Sequence, residues 1–365
     1  MTRLSVQHLS KQYPRSAFPA VQDVSFELEN GEIMALVGPS GCGKTTTLRL
    51  IAGLEHPDGG QICLNGQAVA SPARFVPPEQ RGVGMVFQDH ALFPHLNVFD
   101  NVAFGLRGQK RAEIKDQASQ MLDLVGLTAL EKLIPHALSG GERLRVALSR
   151  ALAPRTVLVL MDEPFSSLDT DLRVEMRDQV RALLKTMRAT VILVTHDQEE
   201  ALYMGDRLAV FQSGRLEQVG TPEQIFQASA TRFVAEFMGS SSFITGEVTP
   251  DGIRTEVGLL NQAVDLPAAA RVEVAVRADD VDFQPHPLGN SVIIERGFRG
   301  MHNLYHLRLD SGLVLRAFKE HTLVLPVGER VQAVISAGHP LCVFPGDQRS
   351  APIESWSSTR RTASS

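Results

Sequence analysis

Gly38-Pro39-Ser40-Gly41-Cys42-Gly43-Lys44-Thr45 is a complete G-x-x-x-x-G-K-[ST] loop, and it follows the unalternating apolar run Ile33 to Val37. That run predicts a buried parallel strand, and Thr45 to Leu54 continues as a helix ending near Gly53, so the loop joins strand to helix. The residue types suit a phosphate. Glycines let backbone N–H groups close around phosphate oxygens, and Lys44 reaches the β- and γ-phosphates as a point charge. Thr45 has a hydroxyl to offer Mg2+.

Outward from this loop, Leu4 to Leu9 and Val24 to Leu28 alternate apolar and polar residues, which predicts a half-exposed antiparallel β layer. Gly59-Gly60, Asn65-Gly66 and Pro77-Pro78 punctuate short strands up to Val83 to Phe87. From Asn97 to about Leu152 helical spacing dominates, as in Ala118, Met121, Leu122 and Val125, and marks an inserted helical subdomain. Val157 to Met161 and Val191 to Thr195 are unalternating and β-branched, as central strands covered on both faces should be. Thr221-Pro222-Glu223-Gln224 reads as a helix cap closing the first domain, and Gly239-Ser240-Ser241-Ser242 as a boundary. Alternation returns at Val272 to Val276, Ser291 to Glu295, Leu304 to Leu309 and Val331 to Ile335, which predicts a β-rich second domain.

The expected fold is an α/β P-loop nucleotide-binding domain with an antiparallel β layer and an inserted helical subdomain, followed by a smaller all-β domain. Its boundaries fall at 1–239 (helical subdomain about 89–155) and 240–346. The Ser-, Arg- and Thr-rich residues 347–365 carry too little apolar surface to offset ordering entropy and are expected to be disordered.

A chain of 365 residues exceeds the size at which single cores stop growing, in line with two domains. With 43% hydrophobic and 21% charged residues it has an ordinary globular composition, and its net charge of -5 offers no electrostatic reason to expect nucleic acid. Cys42, Cys63 and Cys342 form no C-x-x-C pair, which argues against a disulfide framework or a zinc site and suits a reducing compartment. The amino terminus shows no signal pattern, and no apolar run approaches the ~18 residues of a spanning helix. Cys42 lies in the phosphate loop before a helix, where an N-terminal dipole can lower a thiol pKa; a small side chain tolerated where only backbone is used is the alternative.

Val157-Leu158-Val159-Leu160-Met161-Asp162-Glu163 puts two carboxylates at the end of a buried strand. Beside a phosphate loop, Asp162 can hold Mg2+ and Glu163 can orient or deprotonate a water in line with the γ-phosphate. Leu138-Ser139-Gly140-Gly141-Glu142 opens a helix with inner face Leu144, Ala147, Leu148 and Ala151, and Ser139 with Glu142 makes a capping box. Two glycines in its first turn lower helix propensity by roughly 1 kcal/mol each, and close approach of an anionic ligand to bare N–H groups is one reason for them.

The phosphate loop, Gln88, Leu138 to Glu142, the Asp162-Glu163 strand and His196 occur in the order found in ATP-binding cassette (ABC) ATPases, and the resemblance covers roughly residues 1 to 240. That family usually has Gln where this chain has Glu142. The resemblance implies a head-to-tail dimer in which ATP on one subunit's Lys44 loop is covered by the other's Ser139, Gly140 and Gly141. The implied nucleotide-binding set is Tyr13, Gly38, Ser40, Gly41, Gly43, Lys44, Thr45 and Thr46 with Ser139, Gly140 and Gly141. Glu163, His196 and Gln88 are the implied catalytic residues, and Thr45, Gln88 and Asp162 the implied Mg2+ ligands. Tyr13 resembles an adenine-stacking aromatic, although packing on its own sheet would serve equally. Asp169, in Ser166-Ser167-Leu168-Asp169, resembles a dimer-contacting loop.

Gln88-Asp89-His90-Ala91-Leu92-Phe93-Pro94-His95-Leu96 and Thr195-His196-Asp197-Gln198-Glu199-Glu200-Ala201-Leu202 look like those of bacterial importers. The implied function is the ATP-hydrolysing motor of an importer, peripheral on the cytoplasmic side of the inner membrane. Its partners would be a second ATPase subunit, transmembrane permease subunits and, indirectly, an external solute-binding protein, with no nucleic acid. Leu92, Phe93 and Leu96 would either dock a permease or pack inside the helical subdomain. The stretch Ala151 to Asp169 looks most like ferric-iron import ATPases, with polyamine, sulfate and sugar importers as alternatives; a soluble ABC ATPase acting on nucleic acid is the alternative class. The second domain resembles an oligonucleotide-binding-fold-like regulatory extension, only partly matched at Arg277-Ala278-Asp279-Asp280.

Overall fold

Strands β1 (Thr2–Lys11) and β2 (Val21–Glu29) pair antiparallel and bury Leu4, Val6, Leu9, Val24, Phe26 and Leu28. Simple alternation would turn Leu9 outward after Val6. A register shift with His8 at φ +51° restores the phase, and Leu9 is buried after all. In the computed structural model, which describes residues 2–346 except Arg15, Arg107 and Arg155, these strands belong to the first of two units, Met1–Pro222 and Glu223–Ser365. The expected disordered tail, 347–365, lies outside the described residues.

The first unit holds two sheets. One is antiparallel, in the order β2, β1, β4 (Gly59–Leu64), β5 (Gln67–Ser71), β6 (Arg74–Phe75), with β3 (Ile33–Val37) and α1 (Lys44–Ala52) falling before β4 in the chain. After it come β7 (Val83–Val86), α2 (Val98–Phe104), α3 (Arg111–Leu124), α4 (Gly140–Leu152), β8 (Leu158–Asp162), α5 (Thr170–Thr186), β9 (Val191–Thr195), α6 (Gln198–Met204), β10 (Arg207–Gln212) and β11 (Arg215–Gly220). The second sheet has the order β11, β10, β3, β9, β8, β7, and all its pairings are parallel except the edge pair β10–β11. Strands β3 and β9 are buried at every residue, as their unalternating runs predict. One apolar core lies between the sheets; the other packs β3, β8 and β9 residues against the inserted helices.

Helix α1 stops at Gly53, which takes φ +84° and returns its N–H to Leu50. Its last carbonyls are satisfied from afar by Arg81, whose Nη1 donates to Leu50 O and Ile51 O at 2.8 Å each and whose Nε donates to Val76 O at 2.7 Å. Arg81 is buried, so its removal strands the Ile51 and Val76 carbonyls and leaves Leu50 O with only the Gly53 N–H. Arg81→Met is expected to destabilise the first unit by about 2–4 kcal/mol, measured as a lowered urea midpoint of that unit's transition.

The second unit begins inside α7 (Pro222–Gln227), one residue after its start, and takes in α8 (Arg232–Gly239), so the structural division falls after Pro222 and not at the Gly239 run where composition changes. The reason is packing: α8 contacts a strand of the second unit, and Arg277 lies 3.9 Å over the Phe226 ring while donating to the Phe226 carbonyl. The strands are β12 (Ser242–Thr249), β13 (Gly252–Thr255), β14 (Gly258–Leu260), β15 (Arg271–Val276), β16 (Val281–Pro285), β17 (Ser291–Phe298), β18 (His302–Leu309), β19 (Val314–Glu320), β20 (Arg330–Ile335) and β21 (Val343–Pro345). They form two five-stranded antiparallel sheets, β14-β13-β12-β15-β21 and β16-β20-β17-β18-β19, around one apolar core. Tyr305 lies at its centre, edge-on to Phe283 at 5.1 Å, with its hydroxyl donating to Leu323 O and accepting from Leu325 N–H at 3.0 Å each. The fold is thus the expected one, an α/β domain with an antiparallel layer and helical insert, then an all-β unit.

Candidate active site

Strand register converts scattered motifs into one place. Val37 pairs with Thr195, Val194 with Asp162 and Met161 with Val86 along adjacent parallel strands. The phosphate loop therefore leaves the carboxyl end of β3, His196 that of β9, Glu163 that of β8, and Gln88 follows the end of β7. Parallel α/β sheets bind ligands beyond their carboxyl ends.

In the loop, Gly38 and Gly43 are required by close packing. A Cβ on Gly38 would lie 2.3 Å from Phe211 O, and one on Gly43, at φ +106°, would lie 2.3 Å from Ala20 O. Lys44 is 5% exposed, and its Nζ donates to Gly38 O at 2.7 Å and Pro39 O at 2.9 Å, which draws the ammonium back across the loop. Ser40 and Gly41 are exposed at the loop's tip, and Thr46 is half-buried on α1. Cys42 is buried, and burial pushes its thiol up despite the Lys44 ammonium. Of the two readings of Cys42, desolvation thus opposes a thiol lowered by the helix end and leaves that of a small, buried side chain in the loop.

Thr45 Oγ1 donates to Asp162 Oδ1 at 3.1 Å. Burial raises the Asp162 carboxyl, Thr45 opposes that, and the neighbouring Glu163 charge adds to it. Glu163 has φ +46°, which costs a residue with a Cβ roughly 1–2 kcal/mol. The conformation is held by Glu163 N–H on Val194 O at 2.9 Å and by the Ser166 hydroxyl donating to Glu163 O at 2.8 Å. Its carboxylate Oε2 lies 3.0 Å from His196 Nδ1. Such local strain marks a site where side-chain direction matters.

Gln88 is exposed in the turn after β7, which ends at Val86 and not at Phe87. The segment beyond it is firmly held: Arg150 donates to Ala91 O at 2.7 Å and His90 O at 3.1 Å, and buried His90 contacts Pro164 O through Nε2 at 3.2 Å. Leu92 packs on the helical core and Phe93 on Phe104 at 4.3 Å; with Leu96 they are half-buried. Tyr13 is half-buried, with Lys11 Nζ 5.7 Å from its ring. Asp169 is exposed at the amino end of α5.

Ser139 and Glu142 form the expected capping box: Ser139 Oγ accepts Glu142 N–H at 3.3 Å, and Glu142 Oε2 accepts Ser139 N–H at 2.7 Å. The backbone N–H of Ser139 holds the Glu142 carboxyl below its usual range. The two glycines have a reason inside the chain as well. A Cβ at Gly140 would lie 2.7 Å from Leu168 Cδ2, and one at Gly141 2.7 Å from Met176 Sδ. Helix α4 packs against α2, α3, α5 and β7, whereas α1 packs against β8 and β9. Lys44, Thr45, Asp162, Glu163 and His196 thus share one end of the parallel sheet, while Ser139–Gly141 belong to the helical layer.

Five residues absent from the site read from the sequence line a cavity of about 50 Å3 with Glu163 and His196: Ser166, Arg173, Thr195, Asp197 and Glu200. Glu200 had a legible signal. In α6 it shares the inward face with Ala201 and Met204, an acid at an apolar position.

Comparison with known proteins follows the same lines. A family model described as ABC transporter matches residues 21–166. A sulfate/thiosulfate import ATP-binding protein from Burkholderia mallei is 41% identical across 94% of this chain and 99% of its own length. The chain belongs to the ABC transporter ATP-binding family. A spermidine/putrescine import ATP-binding protein from Trichormus variabilis is 42% identical to this ABC ATPase over 83% of the chain and 84% of that protein. A trehalose/maltose import ATP-binding protein from Thermococcus litoralis is 50% identical over 64% of each. Among solved structures, a dimeric ATP-binding cassette bound to ADP and Pi in a post-hydrolysis state matches with TM-score 0.52 and 28% identity, covering 60% of this chain and 98% of that one. Another, cbiO1 from Clostridium perfringens, part of an ABC transporter complex, matches with TM-score 0.56 and 26% identity over 61% and 90%.

Proposed function

We propose that this ABC ATPase is the ATP-hydrolysing motor of a bacterial importer. The carrying observation is the convergence of the phosphate loop, Asp162-Glu163 and His196 at the carboxyl ends of adjacent parallel strands. Lys44 and the loop N–H groups bind the phosphates, and Glu163 takes a proton from the attacking water while His196, 3.0 Å from its carboxylate, keeps it aimed and meets the γ-phosphate. Gln88 orients that water from the end of β7. Tyr13 stacks on the adenine.

Thr45 and Asp162 form an all-oxygen donor pair already within hydrogen-bond distance, the chemistry a hard divalent cation selects. Among the described residues no cluster of three or more acidic, His or Cys side chains forms a cage, which suits Mg2+, a cation that fills its shell with phosphate oxygens and water. When bound, Mg2+ supplies charge neutralisation to the phosphates. Thr45, Asp162 and Gln88 would hold it.

The cassette match to a dimer bound to ADP and Pi supports a second copy of this chain as partner, its Ser139–Gly141 turn covering the nucleotide. Among the described residues no helix is long and apolar enough to cross a membrane, so transport requires permease subunits, with this chain on the cytoplasmic face of the inner membrane. The net charge of -5 and the import names of the relatives favour this reading over action on nucleic acid. For cargo, the relatives named above are importers of sulfate or thiosulfate, spermidine or putrescine, and trehalose or maltose, which supports those three classes over the ferric iron suggested by the Ala151–Asp169 wording. Deletion of this chain is expected to abolish uptake of one among labelled sulfate, spermidine and maltose, with restoration by the wild-type chain and none by Lys44→Ala. Unchanged uptake of all three, with loss of ferric-iron uptake, would reverse the cargo assignment.

A further inference from the structure

The far half of α5 leaves a groove open on the helical layer. Gln179, Ala182, Leu183 and Thr186 recur at i, i+3, i+4 and i+7, so they share one face of that helix. The stripe lies roughly 14 to 24 Å along the axis from Thr170, the end of α5 that follows Glu163 and Ser166. With Leu124, Val125 and Gly126 at the end of α3, and with Val180 and Arg145, it lines a cavity of about 400 Å3. Helix α4, which carries Arg145, packs against both α3 and α5.

The walls are apolar. Val125 and Val180 are buried, Leu183 is half-buried, and Leu124, a large aliphatic side chain, is 49% exposed. A Cβ on Gly126 would meet nothing within 4 Å, so the backbone there borders open space. Arg145 is the charged member. Its Nε is buried with no hydrogen-bond partner, and among the described residues its guanidinium enters no ion pair and no hydrogen bond. Glu142, one turn earlier on α4, attracts it, but Glu142 Oε2 accepts Ser139 N–H at 2.7 Å. Gln179 spends its Nε2 on Glu175 Oε1 at 2.8 Å. A buried N–H without an acceptor is destabilising, and an anion that reaches it removes that cost.

We propose that this groove binds a small amphiphilic monoanion, a carboxylate on an apolar body. The carboxylate sits on the Arg145 guanidinium, and the apolar body lies between Leu124, Val125, Val180 and Leu183. A planar guanidinium matches a carboxylate through two parallel hydrogen bonds. One positive charge among apolar walls selects one negative charge, because a dianion such as free phosphate would keep an uncompensated charge against Leu124 and Leu183. The volume suits such a ligand, since small-molecule pockets run from about 300 to 1,000 Å3.

Equilibrium dialysis of radiolabelled decanoate against the full-length chain, below the concentration at which decanoate forms micelles, tests the site. Decanol is the neutral probe of equal length. Decanoate should bind saturably, a single molecule per chain, and decanol at least about tenfold more weakly, as loss of a hydrogen bond to a charged group requires. Arg145→Met should weaken decanoate to the level of decanol and leave decanol unchanged. Ala182→Trp, at an exposed position, should fill the groove and abolish binding of both, with an unchanged melting temperature showing that the chain still folds. Absence of saturable decanoate binding overturns the proposal, as does decanoate binding that survives Ala182→Trp. Equal affinities for decanoate and decanol, or wild-type decanoate affinity in Arg145→Met, refute the role of the guanidinium and with it the monoanion.

Discussion

Glu163→Gln should reduce steady-state ATP hydrolysis by at least about two orders of magnitude, the usual contribution of a general base, while ATP binding survives. The amide has the shape of the carboxylate, so the left-handed turn at φ +46° and its hydrogen bonds to Val194 and Ser166 are preserved. The proton-accepting oxygen 3.0 Å from His196 is lost. With hydrolysis blocked, ATP and Mg2+ should hold the full-length chain as a dimer in size-exclusion chromatography. Wild-type turnover in this variant would move the base elsewhere. A monomer carrying bound ATP would exclude a nucleotide site shared between copies.

The second large effect is expected at Gly43. A methyl group there would stand 2.3 Å from the Ala20 carbonyl oxygen, with backbone on both sides and no flexible side chain to yield, at a φ of +106° that alanine avoids. Gly43→Ala should abolish binding of a fluorescent ATP analogue and destabilise the first unit by more than about 2 kcal/mol, read from a lowered melting temperature. Gly41→Ala is the control. Its φ of +78° also disfavours alanine, but nothing lies within 4 Å of the added methyl, so a loss of about 1 kcal/mol is expected with the fold retained. Equal effects at the two positions would show that backbone conformation alone, and not the contact with Ala20, governs the loop.

Much of the site was legible because its chemistry is local. A phosphate loop needs its glycines, lysine and threonine within eight residues, and strands buried on both faces leave unalternating runs such as Ile33 to Val37 and Val191 to Thr195. The same locality explains the misses. What α4 alone does not show is that the Gly140 and Gly141 backbones also pass close to Leu168 and Met176, from a later part of the chain. Cys42 invites a low thiol pKa from its helix end, and burial reverses the sign. The Gly239 run looks like a boundary by composition, but α7 and α8 join the β-rich unit because Phe226 stacks under Arg277.

By itself the amino-acid sequence determined the nucleotide loop, the order of the motifs and the type of both units, since each depends on residues adjacent in the chain or on a short period of polarity. Only the tertiary structure decided that Asp162, Glu163 and His196 gather at the same sheet end as the Lys44 loop, that Arg81 closes α1 from thirty residues away, and that Glu200 is buried beside Glu163 and His196. Strand order and register across a parallel sheet join segments more than a hundred residues apart, and no local pattern of polarity encodes which strand lies beside which.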